Sequence, residues 1–418
     1  MSTEYREVLL HLGKQAASAQ RRLAVLPPQL RHRFLEAAAQ ALRERQSEIL
    51  QANAADLAQV NDLDPALRAR IQLDGRRLER LARLVEGVAS LNDPIGRIEA
   101  TWLRPNGLKI EKTRVPVGTL AVIYESLPEV TVRAAALALK AGNAVFLRGS
   151  AECFATNRLL ARVFREAAEA AGLPEGALVF LPWAEREAVP VLVEMDEYID
   201  VVIARGGTDL DQLLRTHARM PVVRQGRGVC HIYVDVAADP DKARRIILNA
   251  KIQQPLAANA VETVLIHREI APLFAPELAA ELAEAKIEIH GDEAFRQLVP
   301  HALPAAPGDW DREHLGPVLN LAVVNDVQAA CDHIAEHSTG HSEAIVTEDR
   351  KTAAFFTTAI DSACVFVNAS TRFTDGGEFG MGTDLGVSTS KLHARGPVGL
   401  DELTTYKYVI QGKGQIRE

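Results

Sequence analysis

Residues 119–149 read TLAVIYESLPEVTVRAAALALKAGNAVFLRG, and this stretch decides the fold class. TLAVIYE at its start and AVFLRG at its end are short runs rich in β-branched and aromatic side chains, the composition of strands. Between them, 130–141 is dense in Ala and Leu, which favours helix. Two strands joined by a helix lie parallel in one sheet, because a parallel pair needs a crossover of that length. The alternation continues outward. Helical stretches over 153–172 and 184–195 precede ALVFLP (177–182) and YIDVVIARGG (198–207), so a doubly wound, parallel α/β sheet is expected.

A second αβ series opens near 233 with IYVDV. It runs through ARRIILNAKI, VETVLIH, a helix from about 270 to 286, KIEIHG, VLNLAVV, VQAACDHIAEH, SEAIVTE and ACVFVNA. This predicts a second domain of similar layering, with the boundary near 230 to 240. Ahead of both, residues 3–57 read as two amphipathic helices broken by LPPQL, a helical cap on the α/β body. IEATWLRPNGLKIEKTRVPVG (98–118) alternates about RPNG, where Asn106 and Gly107 suit positive φ, and predicts a hairpin. LTTYKYVIQGKGQI, near the carboxyl terminus, is a strand remote from both series. Paired with the hairpin it makes a small third sheet, an oligomerisation arm.

The 418 residues are 47% apolar, enough for two or three packed domains. A net charge of −8, with both signs interleaved along the chain, argues against a nucleic-acid or anionic-membrane surface and for small molecules or other subunits as partners. No apolar run approaches the roughly 20 residues of a spanning helix, and no signal peptide is legible, so the cytoplasm is the expected location. Cys153, Cys230, Cys331 and Cys364 have no CxxC spacing and suggest neither a disulfide framework nor a zinc site.

Chemistry is expected at the loop ends of the first sheet. Arg148, followed by Gly149 and Ser150, is suited to hold a phosphate or ribose, and Gly206 and Gly207 let a backbone approach it closely. The bland alternative is that the glycines only close tight βα turns. Neither segment is the GxGxxG fingerprint.

The runs RVPVGTLAVIYES, AALALKAGNAVFLRG, YIDVVIARGG, GVCHIYVD, NAKIQQP, HSEAIVTED, VNASTRFTDGGEFGMG and STSKLHARGPVGLDELTTYKYVIQGKGQIR closely resemble the γ-glutamyl phosphate reductase family of the aldehyde dehydrogenase superfamily. The resemblance covers essentially the whole chain, in order. It implies an aldehyde dehydrogenase-like α/β fold: an NADP-binding domain over 1–97 and 115–235, a catalytic domain over 236–385, and an oligomerisation arm from 98–114 and 386–418. It also implies NADPH-dependent reduction of L-glutamate 5-phosphate to the 5-semialdehyde and phosphate, a step of proline synthesis. A homo-oligomer, dimer or tetramer, is expected as well, and a non-catalytic homologue would have glutamate 5-kinase as a candidate partner.

The family's nucleophile is a cysteine three residues after the proline of a segment that here reads QQPLAANA, and that position is Ala258. A methyl group has no lone pair, and losing such a residue costs on the order of 10⁶-fold in turnover. The family's side-chain oxyanion donor, an Asn, is here Glu129, which offers only acceptors. Leu127 and Gln254 stand where the family has Arg, and Arg133 where it has Asp. Several altered lining positions point to divergence more than to one engineered change. Asn259 and the backbone N–H of Ala258 remain to shape the pocket. By the same resemblance Arg148, Glu152, Gly206, Gly207, Glu313 and Phe379 bind the cofactor, NADP(H), the alternative for Phe379 being core packing. Lys391, His393 and Arg395 hold either a substrate anion or the carboxyl-terminal arm. Three functions stay open: the reductase, a non-catalytic homologue that keeps the fold and the cofactor site in a regulatory or scaffolding role, and a binding protein that has exchanged the substrate for another anion.

Two other signals carry less. His333, His337 and His341 share a helical spacing, but Gly340 is expected to end that helix, so no metal site is assigned. Cys230 is read as a partly buried structural thiol and not a substitute nucleophile.

Overall fold

The computed structural model describes residues 2–60, 65–125 and 127–417. The helical cap over 3–57 has three helices where two were expected: α1 (Ser2–Leu23), α2 (Pro28–Glu44) and α3 (Gln46–Gln59). Pro28 opens α2 at the first helical position, where its missing N–H costs nothing, and Arg45, outside helical geometry at φ −99 and ψ 18, separates α2 from α3. α4 (Pro65–Ile71) and α5 (Gly75–Ser90) follow, and Asp74 caps α5 by accepting from the N–H of Arg77. The hairpin forms as read: β1 (Ile98–Leu103) pairs antiparallel with β2 (Lys109–Pro116) around Gly107 at φ +87.

The first sheet is built from β3 (Thr119–Tyr124), α6 (Pro128–Lys140), β4 (Ala144–Arg148), α7 (Phe154–Ala170), β5 (Leu178–Phe180), α8 (Ala188–Val193), β6 (Val201–Arg205), α9 (Thr208–His217) and β7 (Val222–Arg224). Its order is β5-β4-β3-β6-β7, all parallel. Every residue of β3 and β4 is buried, which is why those strands are unbroken apolar runs. Gly142, at φ +72, stops α6 and turns the chain into β4. The winding reverses between β3 and β6, so the carboxyl ends of these two strands flank the sheet's crevice.

The second sheet takes β8 (Cys230–Val234), α10 (Pro240–Ile252), β9 (Val261–His267), α11 (Ala271–Glu284), β10 (Glu288–Gly291), α12 (Glu293–Leu298), β11 (Leu303–Pro304), β12 (Val318–Val324), α13 (Val327–His337), β13 (Ser342–Val346), α14 (Arg350–Ala359) and β14 (Cys364–Val367). All its pairings are parallel, in the order β11-β10-β12-β9-β8-β13-β14. β8 pairs with β9 and β13, so the boundary lies between Arg224 and Cys230, a few residues before the expected 235.

The expected arm over 386–418 is also shorter. β15 (Val387–Ser388) and β16 (Gly396–Pro397) form their own two-stranded sheet, and Ala394, Val398, Leu400 and Leu403 pack into the first domain's core. Only β17 (Thr404–Gln411) joins the hairpin, pairing antiparallel with β2.

Candidate active site

After α10 the chain turns through 253–260 at the amino end of β9, beside the amino ends of β8 and β13. Ala258 lies in this turn with Gly228 packed on it: a Cβ at 228 would stand 1.5 Å from the carbonyl oxygen of Ala258, so only glycine fits. Cys230 Sγ donates to that same oxygen at 3.2 Å. The thiol is fully buried, and burial, reinforced by Glu343 and Glu262, pushes its pKa well above the ordinary value. A thiol so disfavoured as thiolate is no replacement nucleophile. Asn259 does not keep a free amide for an oxyanion: its Nδ2 donates to the carbonyls of Arg372 at 3.3 Å and Thr374 at 2.9 Å, while Thr371 donates to its backbone oxygen at 2.7 Å. It pins the turn to the 371–374 segment. Gln253 and Gln254 accept from Arg372 at 2.7 and 3.3 Å, beside a groove of about 260 Å³ that Phe373, Asp375 and Glu378 also line.

Beneath the turn lies a buried ion pair, Lys251 Nζ to Glu262 Oε2 at 2.8 Å. Burial pushes Glu262 up to about 7 against the pull of Lys251. On the loop before β12, Glu313 Oε1 accepts from the N–H of Gly228 at 2.7 Å. Glu313 is thereby brought to the Ala258 turn.

The facing wall belongs to the first domain. Glu129, in the first turn of α6, is not a lone charge aimed at the site: Arg77 of α5 pairs with it at 3.0 Å, as the sequence did not suggest. Leu127 packs against the first core. Arg133 donates to Thr383 Oγ1 at 2.8 Å. At the carboxyl end of β4, Arg148 is buried, donates to the carbonyl of Ala184 at 2.8 Å, and leaves its Nε without a partner; Glu152 Oε2 is likewise buried and unpartnered. Gly206 is crowded, since a Cβ there would meet Leu210 at 2.7 Å and Glu125 at 2.9 Å, whereas a Cβ on Gly207 would meet nothing within 4 Å. Phe379 is 43% exposed, which excludes core packing.

A model of the aldehyde dehydrogenase family matches residues 6–300 and 309–409. The γ-glutamyl phosphate reductase of Syntrophomonas wolfei is 46% identical over all of both chains. The crystal structure of the γ-glutamyl phosphate reductase of Thermotoga maritima superposes with a TM-score of 0.95 at 41% identity, covering 98% of this chain and 100% of that one. The chain belongs to the γ-glutamyl phosphate reductase family. An acetylating aldehyde dehydrogenase of Geobacillus thermoglucosidasius, TM-score 0.72 at 19% identity, shares the fold. Membership makes this an oxidoreductase scaffold for a nicotinamide cofactor.

Within that reductase frame, the carboxyl-terminal cations hold structure. Lys391 and Arg395 both pair with Asp361, Arg395 at 2.6 Å, and His393 donates to the carbonyl of Glu402 at 2.9 Å. These contacts fit the alternative, docking of the segment that leads to β17. His333 and His337 adjoin along α13 at 4.5 Å between ring centroids, but His341 stands beyond the helix at the start of β13, where burial lowers its pKa to about 4. Gly228 and the Lys251–Glu262 pair were missed. The signal was present: a lysine among the buried positions of α10 and a glutamate inside an apolar strand must find each other. No helix among the described residues is long and apolar enough to cross a membrane.

Proposed function

We propose that this chain is built for the reaction its relatives are named for, the NADPH-dependent reduction of L-glutamate 5-phosphate to L-glutamate 5-semialdehyde and phosphate in proline synthesis. The agreement of the whole chain with those reductases, helix by helix and across both sheets, carries this reading. It includes a cytoplasmic location, a homo-oligomer, and delivery of the labile acyl phosphate by a glutamate 5-kinase.

The first domain's residues suit a dinucleotide. Arg148 Nε and Glu152 Oε2 are orphaned polar atoms at a strand's carboxyl end, Gly207 is open to close approach, and Phe379 presents its ring to solvent. Arg148 favours the 2′-phosphate of NADP over NAD. When bound, the nicotinamide supplies the hydride. This chain's own residues shape the cleft: Gly228 and Asn259 fix the turn at 258, and Glu313 holds the N–H of Gly228 beside it.

One observation favours a second reading, a non-catalytic homologue that binds but does not turn over. Ala258 carries no nucleophile, and Cys230 is locked as a buried thiol. The covalent route is therefore closed while residue 258 is alanine. Measuring NADP⁺ reduction with glutamate semialdehyde and phosphate separates the two. Ala258→Cys is expected to raise turnover by several orders of magnitude, toward the 10⁶-fold scale of a nucleophile. An inert Ala258→Cys that is still stabilised by NADP⁺ establishes the non-catalytic homologue, and fast turnover by the chain with Ala258 defeats the requirement for a thiolate at that position.

A further inference from the structure

Charge is out of balance at the carboxyl end of β6. Arg205, its last residue, is partly buried, and among the described residues its guanidinium has neither a hydrogen bond nor an ion pair. Arg133 and Arg70 lie within electrostatic reach, as do the carboxylates of Asp384 and Glu129. Glu129 is already taken by Arg77 at 3.0 Å. Glu125, adjacent along the chain end of β3, turns its carboxylate to the N–H of Gly207 at 3.1 Å and to Arg186 at 3.4 Å. Asp384 accepts from the N–H of Gly376 at 2.5 Å, and burial raises its pKa toward the neutral acid. Three guanidiniums thus lie within electrostatic reach of one carboxylate not already in an ion pair, Asp384. Burial, with repulsion from Arg133 and Arg70, brings Arg205 down to about 10. Like charges held together in a cleft call for an anion, and an excess of two positive charges matches a dianion better than a carboxylate.

We propose that Arg205, with Arg133 and Arg70 beside it, takes the phosphoryl group of the acyl-phosphate substrate, and holds inorganic phosphate in the same place. Planar guanidiniums match phosphate oxygens in pairs, and the site lies at the switch point of a parallel sheet, where such folds bind ligands. It also faces the nucleophile turn through one continuous segment. Asn259 holds Thr374 at one end, and Gly376, Asp384 and Thr383 meet the arginine cluster at the other. Naming the acyl phosphate rests on the reductase reading; the demand for a phosphate-like anion does not.

Calorimetric titration of the intact chain with inorganic phosphate, acetyl phosphate and NADP⁺ tests this. With alanine at 258 the acyl phosphate has no thiolate to consume it. Phosphate and acetyl phosphate are expected to compete for one site, and Arg205→Gln to weaken both roughly tenfold to a hundredfold with NADP⁺ affinity unchanged. Arg133→Asp gives Arg205 a fixed counter-ion, so it should abolish phosphate binding while the melting temperature holds or rises; misfolding would lower both. Phosphate binding that survives Arg205→Gln overturns the proposal. So does a parallel loss of NADP⁺ affinity, which assigns the cluster to the cofactor's phosphates, and so does binding of free phosphate without acetyl phosphate. An inactive Ala258→Cys defeats the reductase reading and leaves the anion site standing.

Discussion

Gly206 and Gly207 are adjacent and chemically identical, yet they have different reasons to lack a side chain. At 206 an added methyl collides with Leu210 and Glu125, so the constraint is internal packing. At 207 there is open space, and the backbone, at φ −74 and ψ −174, suits any residue. Nothing in the fold requires glycine there, which leaves approach by a ligand as its use. Gly207→Ala should therefore change stability by no more than about 0.5 kcal/mol, the usual range for an open surface position. Its affinity for NADPH, followed by nicotinamide fluorescence, should fall several-fold. Unchanged affinity would remove Gly207 from the cofactor site. The same scale shows what spacing can and cannot reveal. Position 258 is legible from its distance to Pro255, whereas the pairing of Glu129 with Arg77 joins residues 52 positions apart and has no signature in either segment.

The segment from 386 to 403 is a clasp, held at its middle by one carboxylate. Asp361, just past α14, accepts from Lys391 and Arg395, and these two cations lower its pKa from the ordinary 3.8 to about 2. A folded-state pKa below the unfolded value means that the clasp contributes in full above about pH 4 and is lost as pH falls through about 2. Asp361 and Lys391 are largely exposed and Arg395 is part-buried, so the effect is local and sensitive to salt. Hydrogen exchange, corrected for its intrinsic pH dependence, should show protection over 387–397 that is level from pH 7 to 4 and declines toward pH 2. Asp361→Asn should remove that protection at pH 7 and leave phosphate and NADP⁺ binding untouched. Loss of phosphate affinity in this variant would return Lys391 and Arg395 to the substrate site.

For the whole molecule, the three-stranded sheet of β1, β2 and β17 leaves apolar surface uncovered. Tyr406, Tyr408 and Ile410 alternate along β17 and so share one face, all about half exposed, with Trp102 of β1 against Tyr408 at 6.1 Å. Aromatic and aliphatic groups gathered on one face, in a sheet with open edges, mark a surface that another chain covers. Light scattering should report a dimer or tetramer for the chain as it stands and a monomer for Ile410→Asp, with the circular dichroism unchanged. An unaltered mass would place the interface elsewhere.

The sequence by itself determined the two parallel sheets, their crossovers and the hairpin. Each depends on neighbours in the chain: unbroken apolar runs make strands buried on both faces, and a short helical crossover forces parallel pairing. The tertiary structure alone decided which charges meet. It turned Lys391 and Arg395 to Asp361, neutralised Glu129 with Arg77, and left Arg205 without an ion-pair partner among the described residues. Electrostatic interactions follow distance and burial, not sequence separation, so these pairings appear only once the chain is folded.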